Sequence, residues 1–172
     1  QAGTGKSFLV NNHSKRLKEI GKSVYLTAST GIAAAQLHGM TIHKFSGIQD
    51  GRLPDNILIE KIKNNEDIVD IKRRIMNVDT LFIDEMSMLS LKLFLQIEKV
   101  LRTVKESNFT FGGIQIIVSG DFFELKPVPN HVYHDRRELI IRYEKIHSLI
   151  PHHYVLSQVH KQTEGNLNIL FK

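Results

Sequence analysis

The stretch Gln1-Ala2-Gly3-Thr4-Gly5-Lys6-Ser7 decides the fold class of this chain. It matches the phosphate-binding pattern G-x-x-x-x-G-K-S/T except that the first glycine is missing, and we expect that glycine immediately upstream. The glycines would let the backbone curl until its N–H groups face a triphosphate. Lys6 would reach the β- and γ-phosphates, and Ser7 would offer its hydroxyl to Mg²⁺. Unless this is a glycine-rich turn that merely contains Lys-Ser, the predicted nucleotide-binding residues are Ala2, Gly3, Thr4, Gly5, Lys6 and Ser7.

A second motif follows an apolar run in the middle of the chain. Thr80-Leu81-Phe82-Ile83 leads into Asp84-Glu85-Met86-Ser87-Met88. Such a run is typical of a central parallel strand buried on both faces, and open α/β sheets bind ligands at the carboxyl ends of their strands. Asp84 would hold Mg²⁺, directly or through water, and Glu85 would orient and deprotonate the water that attacks the γ-phosphorus. The alternative is an exposed acidic strand end, against which the phosphate-binding motif argues.

Composition limits the class of protein. The chain has 172 residues, of which 41% are hydrophobic, so it can bury one substantial α/β core and gives no reason for two domains. Its net charge of +5 is a weak indication of a partner that carries phosphates. Cysteine is absent, which excludes disulfides and fits an intracellular protein. No membrane span or signal peptide is visible, and we expect a longer natural protein because the chain begins inside a motif and without Met.

Hydrophobic periodicity predicts alternating helices and strands. Helical spacing places Leu9, Val10, Leu17 and Ile20 on one face of the first helix, which Gly21 would close. The predicted helices cover residues 7–20, 30–37 and 91–104, with an amphipathic helix or a broken pair within 57–76. The predicted strands cover residues 24–28, 80–83, 115–119 and 153–156. This alternation predicts an α/β fold, a P-loop NTPase with a parallel sheet and helices on both faces, whose first strand lies upstream of the chain as given.

A third motif makes the pattern specific. Residues 120–128, with the sequence GDFFELKPV, follow a predicted buried strand, so they would emerge at the same sheet edge as Asp84 and Glu85. Together with residues 2–7 (AGTGKS), 27–34 (TASTGIAA) and 84–88 (DEMSM), they resemble the first motor domain of a superfamily 1 DNA helicase of the PIF type. The resemblance covers nearly the whole chain, with the motifs in order.

The resemblance implies a single RecA-like motor lobe over residues 1–172, belonging to a larger protein. It implies ATP and Mg²⁺ as cofactors, and single-stranded DNA and a second motor lobe as partners. ATP hydrolysis would drive 5′-to-3′ movement on DNA in repair, recombination or telomere maintenance. No membrane and no small-molecule substrate other than ATP are expected, and the location would be the nucleus or mitochondrion of a eukaryote, or otherwise the cytoplasm.

Two segments of the resemblance imply contacts with single-stranded DNA. The predicted residues are Thr27, Ser29, Thr30, Thr41, His43 and Phe45. Hydroxyls and N–H groups after the first predicted strand could grip phosphates, although Ser29 or Thr30 could instead simply cap a helix. His43 and Phe45 could stack on bases, although a lone His or Phe is more often a core or surface residue.

Departures from the family pattern affect the predicted chemistry. Glu124 stands where these helicases carry a Gln that reads the γ-phosphate, and a carboxylate there is repelled unless it is protonated, paired with Lys126 or turned toward Mg²⁺. His160 and Lys161 replace Phe and Arg, and lysine lacks the planar fork of arginine. We therefore expect a slower or less tightly DNA-coupled ATPase than a typical relative. The predicted catalytic residues are Lys6, Asp84, Glu85, Glu124 and Lys161.

Other functions stay open at this point. The leading hypothesis is an ATP-dependent DNA helicase. The alternatives are the related helicase subunit of a recombination exonuclease and a degenerate lobe that binds nucleotide and DNA without unwinding. The histidines at 131, 134, 152 and 153 lack cysteine or acidic companions at ligand spacing, which favours solvated loop residues over a metal site.

Overall fold

The computed structural model describes residues 5–65, 68–121 and 138–156, which form a parallel sheet flanked by helices. Four strands are present: β1 (Val24–Ala28), β2 (Met40–Thr41), β3 (Thr80–Asp84) and β4 (Gln115–Val118). The α-helices are α1 (Lys6–Glu19), α2 (Gly31–Gln36), α3 (Ile42–Ser46), α4 (Asp55–Asn64), α5 (Val69–Asn77), α6 (Leu91–Val104) and α7 (Ile146–Leu149). Short 3₁₀ turns cover Met86–Met88, Thr110–Gly113 and Ile140–Arg142.

The sheet has the order β2-β1-β3-β4, and every pairing is parallel. Strands β1 and β3 pair from Val24 opposite Thr80 to Ala28 opposite Asp84. Strand β4 pairs with β3 up to Val118, which lies opposite Ile83. The strands therefore end together at one edge, which we call the carboxyl edge, and the predicted parallel sheet is confirmed.

Helices cover both faces of the sheet, as the sequence predicts. Strand β3 is therefore buried on both sides. Leu81 and Ile83 belong to the main core cluster, which includes residues of α3, α4, α5 and α6. Phe82 points the other way and packs with Val10 of α1 and Leu37, which caps α2. All five residues of β3 are buried, so an uninterrupted apolar run is what this strand requires.

Helix α1 begins at the carboxyl edge. Residues 20–23 alone separate it from β1, so it runs antiparallel to the strands. Its contact with the sheet is confirmed by Val10, which packs on Phe82, and by His13, whose ring centroid lies 6.1 Å from that of Phe82. Gly21, with φ of 82°, closes the helix as predicted, and its N–H donates to the Lys18 carbonyl oxygen at 3.0 Å.

Several sequence predictions are wrong in detail. Residues 153–156 are exposed and form no strand, because their backbone pairs with none of the strands that the structure describes. The predicted loop after α2 contains β2 and α3, both too short to show a period. The charged stretch is the broken pair, α4 and α5. On α1, Leu9 and Ile20 are exposed rather than buried, at 47% and 71%, so the apolar face is narrower than predicted.

Candidate nucleotide-binding site

The beginning of α1 has the features of an anion site. Gly5 occupies the N-cap position with φ of 83°, a left-handed conformation that glycine adopts without strain. No side chain caps the helix, and its first turn contains no acidic residue. The first N–H groups of a 14-residue helix are thus left for an anion, beside Lys6 and Ser7. Ala2, Gly3 and Thr4 lie outside the described residues.

Asp84 lies at the same edge of the sheet, as the last residue of β3. Its exposure is only 5%, and the Ser119 hydroxyl donates a hydrogen bond to its Oδ1. Its backbone carbonyl oxygen accepts from the Ser29 N–H at 3.1 Å. Because β1 and β3 end in step, the segment after β1 lies directly beside the backbone of Asp84.

The backbone turns sharply after Asp84. Glu85 has φ of 53°, a left-handed conformation that is uncommon for residues other than glycine. The Met86 N–H then donates to the Ser119 carbonyl oxygen at 2.9 Å, which brings the turn back against the end of β4. Strained backbone is concentrated at functional sites, which agrees with the catalytic role predicted for Glu85.

The oxygen donors at this edge fit Mg²⁺. A carboxylate from Asp84 and a hydroxyl from Ser7 are the hard ligands that this ion takes, usually with substrate phosphates completing its shell. The hydroxyls of Ser29 and Ser87 are buried without a hydrogen-bond partner among the described residues, and buried polar atoms normally have one. Within residues 5–65, 68–121 and 138–156, no cluster of three or more His, Asp or Glu side chains could hold a metal without a substrate.

The segment after β1 only partly supports the predicted DNA contacts. Thr27 is fully buried, and its hydroxyl donates to the Phe82 carbonyl oxygen at 2.5 Å, so that hydroxyl serves the sheet and the predicted side-chain contact with DNA is wrong. Thr30 caps α2 by accepting from the Ala33 N–H at 3.2 Å, which is the capping alternative. The Ser29 hydroxyl keeps unsatisfied bonding capacity.

The segment around α3 requires a second correction. Phe45 has no exposed surface, so its predicted stacking on a base is wrong. Its ring instead packs against Tyr25, at 5.2 Å between centroids, with the Arg74 guanidinium 5.7 Å from its centre. Thr41 caps α3, while His43 is half-buried. Glu124 and Lys161 lie outside the described residues.

Sequence reasoning missed Ser119. A serine after an apolar strand carries no motif, and its position opposite Asp84 depends on the register of β3 and β4. The signal was present in the two strands that were predicted correctly, because two parallel strands that end in step bring the following residues together.

Three features define a P-loop protein with a RecA-like core. The sheet is parallel, α1 begins at Gly5-Lys6-Ser7, and Asp84-Glu85 stands at the end of the central strand. The chain belongs to the PIF1-like helicase family, whose model matches residues 1–164. Similar proteins include the ATP-dependent DNA helicase PIF1 of Emericella nidulans, 41% identical over 132 residues, and the ATP-dependent DNA helicase RRM3 of Saccharomyces cerevisiae, 34% identical over 168 residues. These alignments cover 74% and 96% of this chain but only 17% and 23% of those proteins.

Solved structures confirm the RecA-like fold. The crystal structure of Pif1 helicase from Candida albicans matches with a TM-score of 0.81 and 32% identity, over 92% of this chain and 35% of that one. Bacteroides Pif1 bound to single-stranded DNA matches with a TM-score of 0.61 and 30% identity, over 77% and 30%. Another Bacteroides Pif1 structure holds ADP-AlF4, with a TM-score of 0.60, 31% identity and coverage of 77% and 29%. In the described parts of our chain, no helix is long and apolar enough to cross a membrane.

Proposed function

We propose that this chain is the nucleotide-binding lobe of an ATP-dependent DNA helicase that couples ATP hydrolysis to 5′-to-3′ movement on single-stranded DNA. The observation that carries the proposal is that Asp84 ends β3 at the carboxyl edge of the sheet, the edge at which α1 begins, in a PIF1-like chain. A second motor lobe of the same parent protein would close the other side of the site. Work on the genome would place a eukaryotic parent in the nucleus or mitochondrion.

Nucleotide would bind through the first turn of α1. The uncapped N–H groups and Lys6 would bind the phosphates, and the helix dipole would favour their negative charge. Ser7 and Asp84 would hold Mg²⁺, which neutralises charge that develops on the phosphates during transfer. Glu85, next in the chain, would accept the proton of the attacking water. Glu124 and Lys161 would contact the γ-phosphate side, as the family pattern implies.

DNA would bind at the same edge. Bacteroides Pif1 has been solved with single-stranded DNA, and by similarity the segments after β1 and β2 would face the strand. Ser29, Thr41, His43 and the backbone N–H groups of these segments are the proposed contacts, while Thr27 and Phe45 would support them from within the fold. The hydrogen bond from the Ser29 N–H to the Asp84 carbonyl oxygen gives the two sites a direct connection.

The test is ATP hydrolysis by the full-length parent with and without single-stranded DNA. We expect strong stimulation by DNA, and a loss of at least about 100-fold in Lys6→Ala, because that lysine stabilises charge in the transition state. Equal rates in the wild type and Lys6→Ala would contradict the proposal. Nucleotide and DNA binding without hydrolysis would favour the degenerate lobe, for which Glu124 and Lys161 are the specific grounds. In that case Glu124→Gln with Lys161→Arg should restore turnover.

A further inference from the structure

Ser119, the residue after β4, makes three hydrogen bonds at the end of β3. Its N–H donates to the Ile83 carbonyl oxygen at 3.0 Å, and its own carbonyl oxygen accepts from the Met86 N–H at 2.9 Å. Its hydroxyl donates to Asp84 Oδ1. Ser119 therefore fixes both the backbone on either side of Asp84 and the Asp84 carboxylate.

In this arrangement the two carboxylate oxygens of Asp84 have different roles. Asp84 is almost fully buried, and a buried carboxylate is stable only with partners. Oδ1 has the Ser119 hydroxyl, whereas Oδ2 has no hydrogen-bond donor in the part of the chain that the structure describes. A hydroxyl that donates to one oxygen fixes the rotamer and leaves the other oxygen available to a cation.

The turn after Asp84 also packs against the start of the third motif. A Cβ added to Gly120 would lie 3.1 Å from the Ser87 backbone nitrogen and 3.2 Å from that of Met86, so the chain after Ser119 packs directly on the turn after Asp84. The Ser119 hydroxyl thus links this carboxylate to the start of the third motif.

We infer that Ser119 is a positioning residue for the metal site: its hydroxyl holds Asp84 Oδ1 so that Oδ2 can enter the Mg²⁺ shell. The inference rests on the proposed function, because it assumes that Asp84 serves a Mg²⁺–nucleotide complex. It adds a residue that the motifs do not contain. Ser119 itself touches neither metal nor nucleotide in this scheme.

The experiment measures binding of a non-hydrolysable ATP analogue to the full-length parent as a function of Mg²⁺ concentration, and again in excess chelator. We expect Ser119→Ala to raise the half-saturating Mg²⁺ concentration roughly 10-fold, the lower end of the usual effect of losing a residue that orients a metal ligand. Affinity in chelator should stay unchanged. Ser119→Thr keeps the hydroxyl and should restore the wild-type Mg²⁺ dependence. Ser148→Ala removes a hydroxyl that donates to the Lys145 carbonyl oxygen in α7 and serves as the control.

The outcomes separate the two proposals. If wild type binds the analogue and Ser119→Ala shows the same Mg²⁺ dependence, the inference is overturned while the proposed function stands. If wild type binds no nucleotide at all, both are overturned. A loss of affinity in chelator as large as the loss with Mg²⁺ would assign Ser119 a merely structural role and also overturn the inference. Should Ser119→Ala fail to fold, as judged by circular dichroism, Ser119→Cys replaces it, and its weak S–H donor should raise the Mg²⁺ requirement by a smaller factor.

Discussion

At the scale of single residues, two neighbouring hydroxyls at the carboxyl edge have opposite states. The Thr27 hydroxyl is bonded within the sheet, whereas the Ser29 hydroxyl is buried and has no partner among the described residues. An unsatisfied buried hydroxyl destabilises the free protein by about 1–3 kcal/mol. After rotation of the Ser29 side chain, a DNA phosphate that accepts its hydrogen bond would remove that penalty. The recovered free energy would add to the affinity for DNA.

A matched pair of variants tests this difference. Ser29→Ala should raise the free energy of unfolding by about 1 kcal/mol or more, because it removes a buried hydroxyl that has no partner among the described residues. Affinity for single-stranded DNA should fall about 5-fold, the value of one hydrogen bond of about 1 kcal/mol. Thr27→Val should lower the free energy of unfolding by about 1 kcal/mol and leave DNA affinity unchanged. Urea titration and fluorescence anisotropy with a labelled oligonucleotide measure the two quantities. The reverse pattern would remove Ser29 from the DNA site.

The left-handed backbone at Glu85 destabilises the fold but positions the side chain predicted to act as the base. Left-handed backbone costs a residue other than glycine about 1–2 kcal/mol, and glycine's greater unfolded-state entropy offsets about 0.5–1 kcal/mol of any relief. Glu85→Gly should therefore relieve the backbone strain, while hydrolysis falls about 100-fold or more through loss of the base. Gln49, at φ of 55° in an exposed turn, is the matched control. Gln49→Gly should stabilise the fold by about 0.5–1 kcal/mol, measured by urea unfolding, and leave hydrolysis intact. Equal rates of hydrolysis in both variants would contradict the role of Glu85.

At the scale of elements, the return from α2 to β2 depends on a close approach of backbones. A Cβ added to Gly39 would lie 2.2 Å from the Leu26 carbonyl oxygen of β1, which is far inside contact distance and involves rigid backbone. The short strand β2 pairs with β1 through Met40, the next residue, so the clash would act on that pairing and on the segment around α3. The position of Thr41 and His43, the proposed DNA contacts, therefore depends on a glycine at residue 39.

Two glycine substitutions test this dependence. Gly39→Ala should lower the free energy of unfolding by about 3 kcal/mol, at the upper end of the usual range for overpacking, because backbone has to move. Gly31→Ala places its methyl group where nothing lies within 4 Å. Within α2, this substitution should be neutral or stabilising by up to about 1 kcal/mol. Urea titration of both variants gives the comparison, and equal stability would show that the β1–β2 pairing yields easily.

Which features the sequence predicts depends on how far apart the interacting residues are in the chain. Strand β3 and the cap at Gly21 follow from local rules, burial on both faces and a left-handed closing residue, so their letters were sufficient. Phe45 and Ser119 were misassigned or missed because their roles come from residues far away in sequence: Tyr25 for Phe45 and Asp84 for Ser119. The residue type alone cannot distinguish a ring in the core from a ring that stacks on a base.

At the scale of the whole molecule, the proposed nucleotide site and the proposed DNA segments share one edge of one sheet. Helix α1 brings Lys6 there, β3 brings Asp84, and β1 brings Ser29, whose N–H bonds to the Asp84 carbonyl oxygen. Exposed apolar side chains, Phe8 at 72% and Ile32 at 78%, stand in the first turns of α1 and α2 at the same edge. Two ligands bound to such closely connected segments should influence each other's affinity, since both act on the ends of β1 and β3.

This proximity predicts reciprocal coupling in the parent protein. Saturating single-stranded DNA should tighten binding of a Mg²⁺–ATP analogue by a factor of roughly 5–150, and saturating analogue should tighten DNA binding by the same factor, as linkage requires. Isothermal titration along both arms of the cycle measures the two factors. Lys6→Ala is the control, because it should weaken the nucleotide arm while DNA affinity without nucleotide stays at the wild-type value. Equal factors near one would mean that the shared edge carries no energy between the sites, and hydrolysis would then have to be coupled to DNA through the second lobe alone.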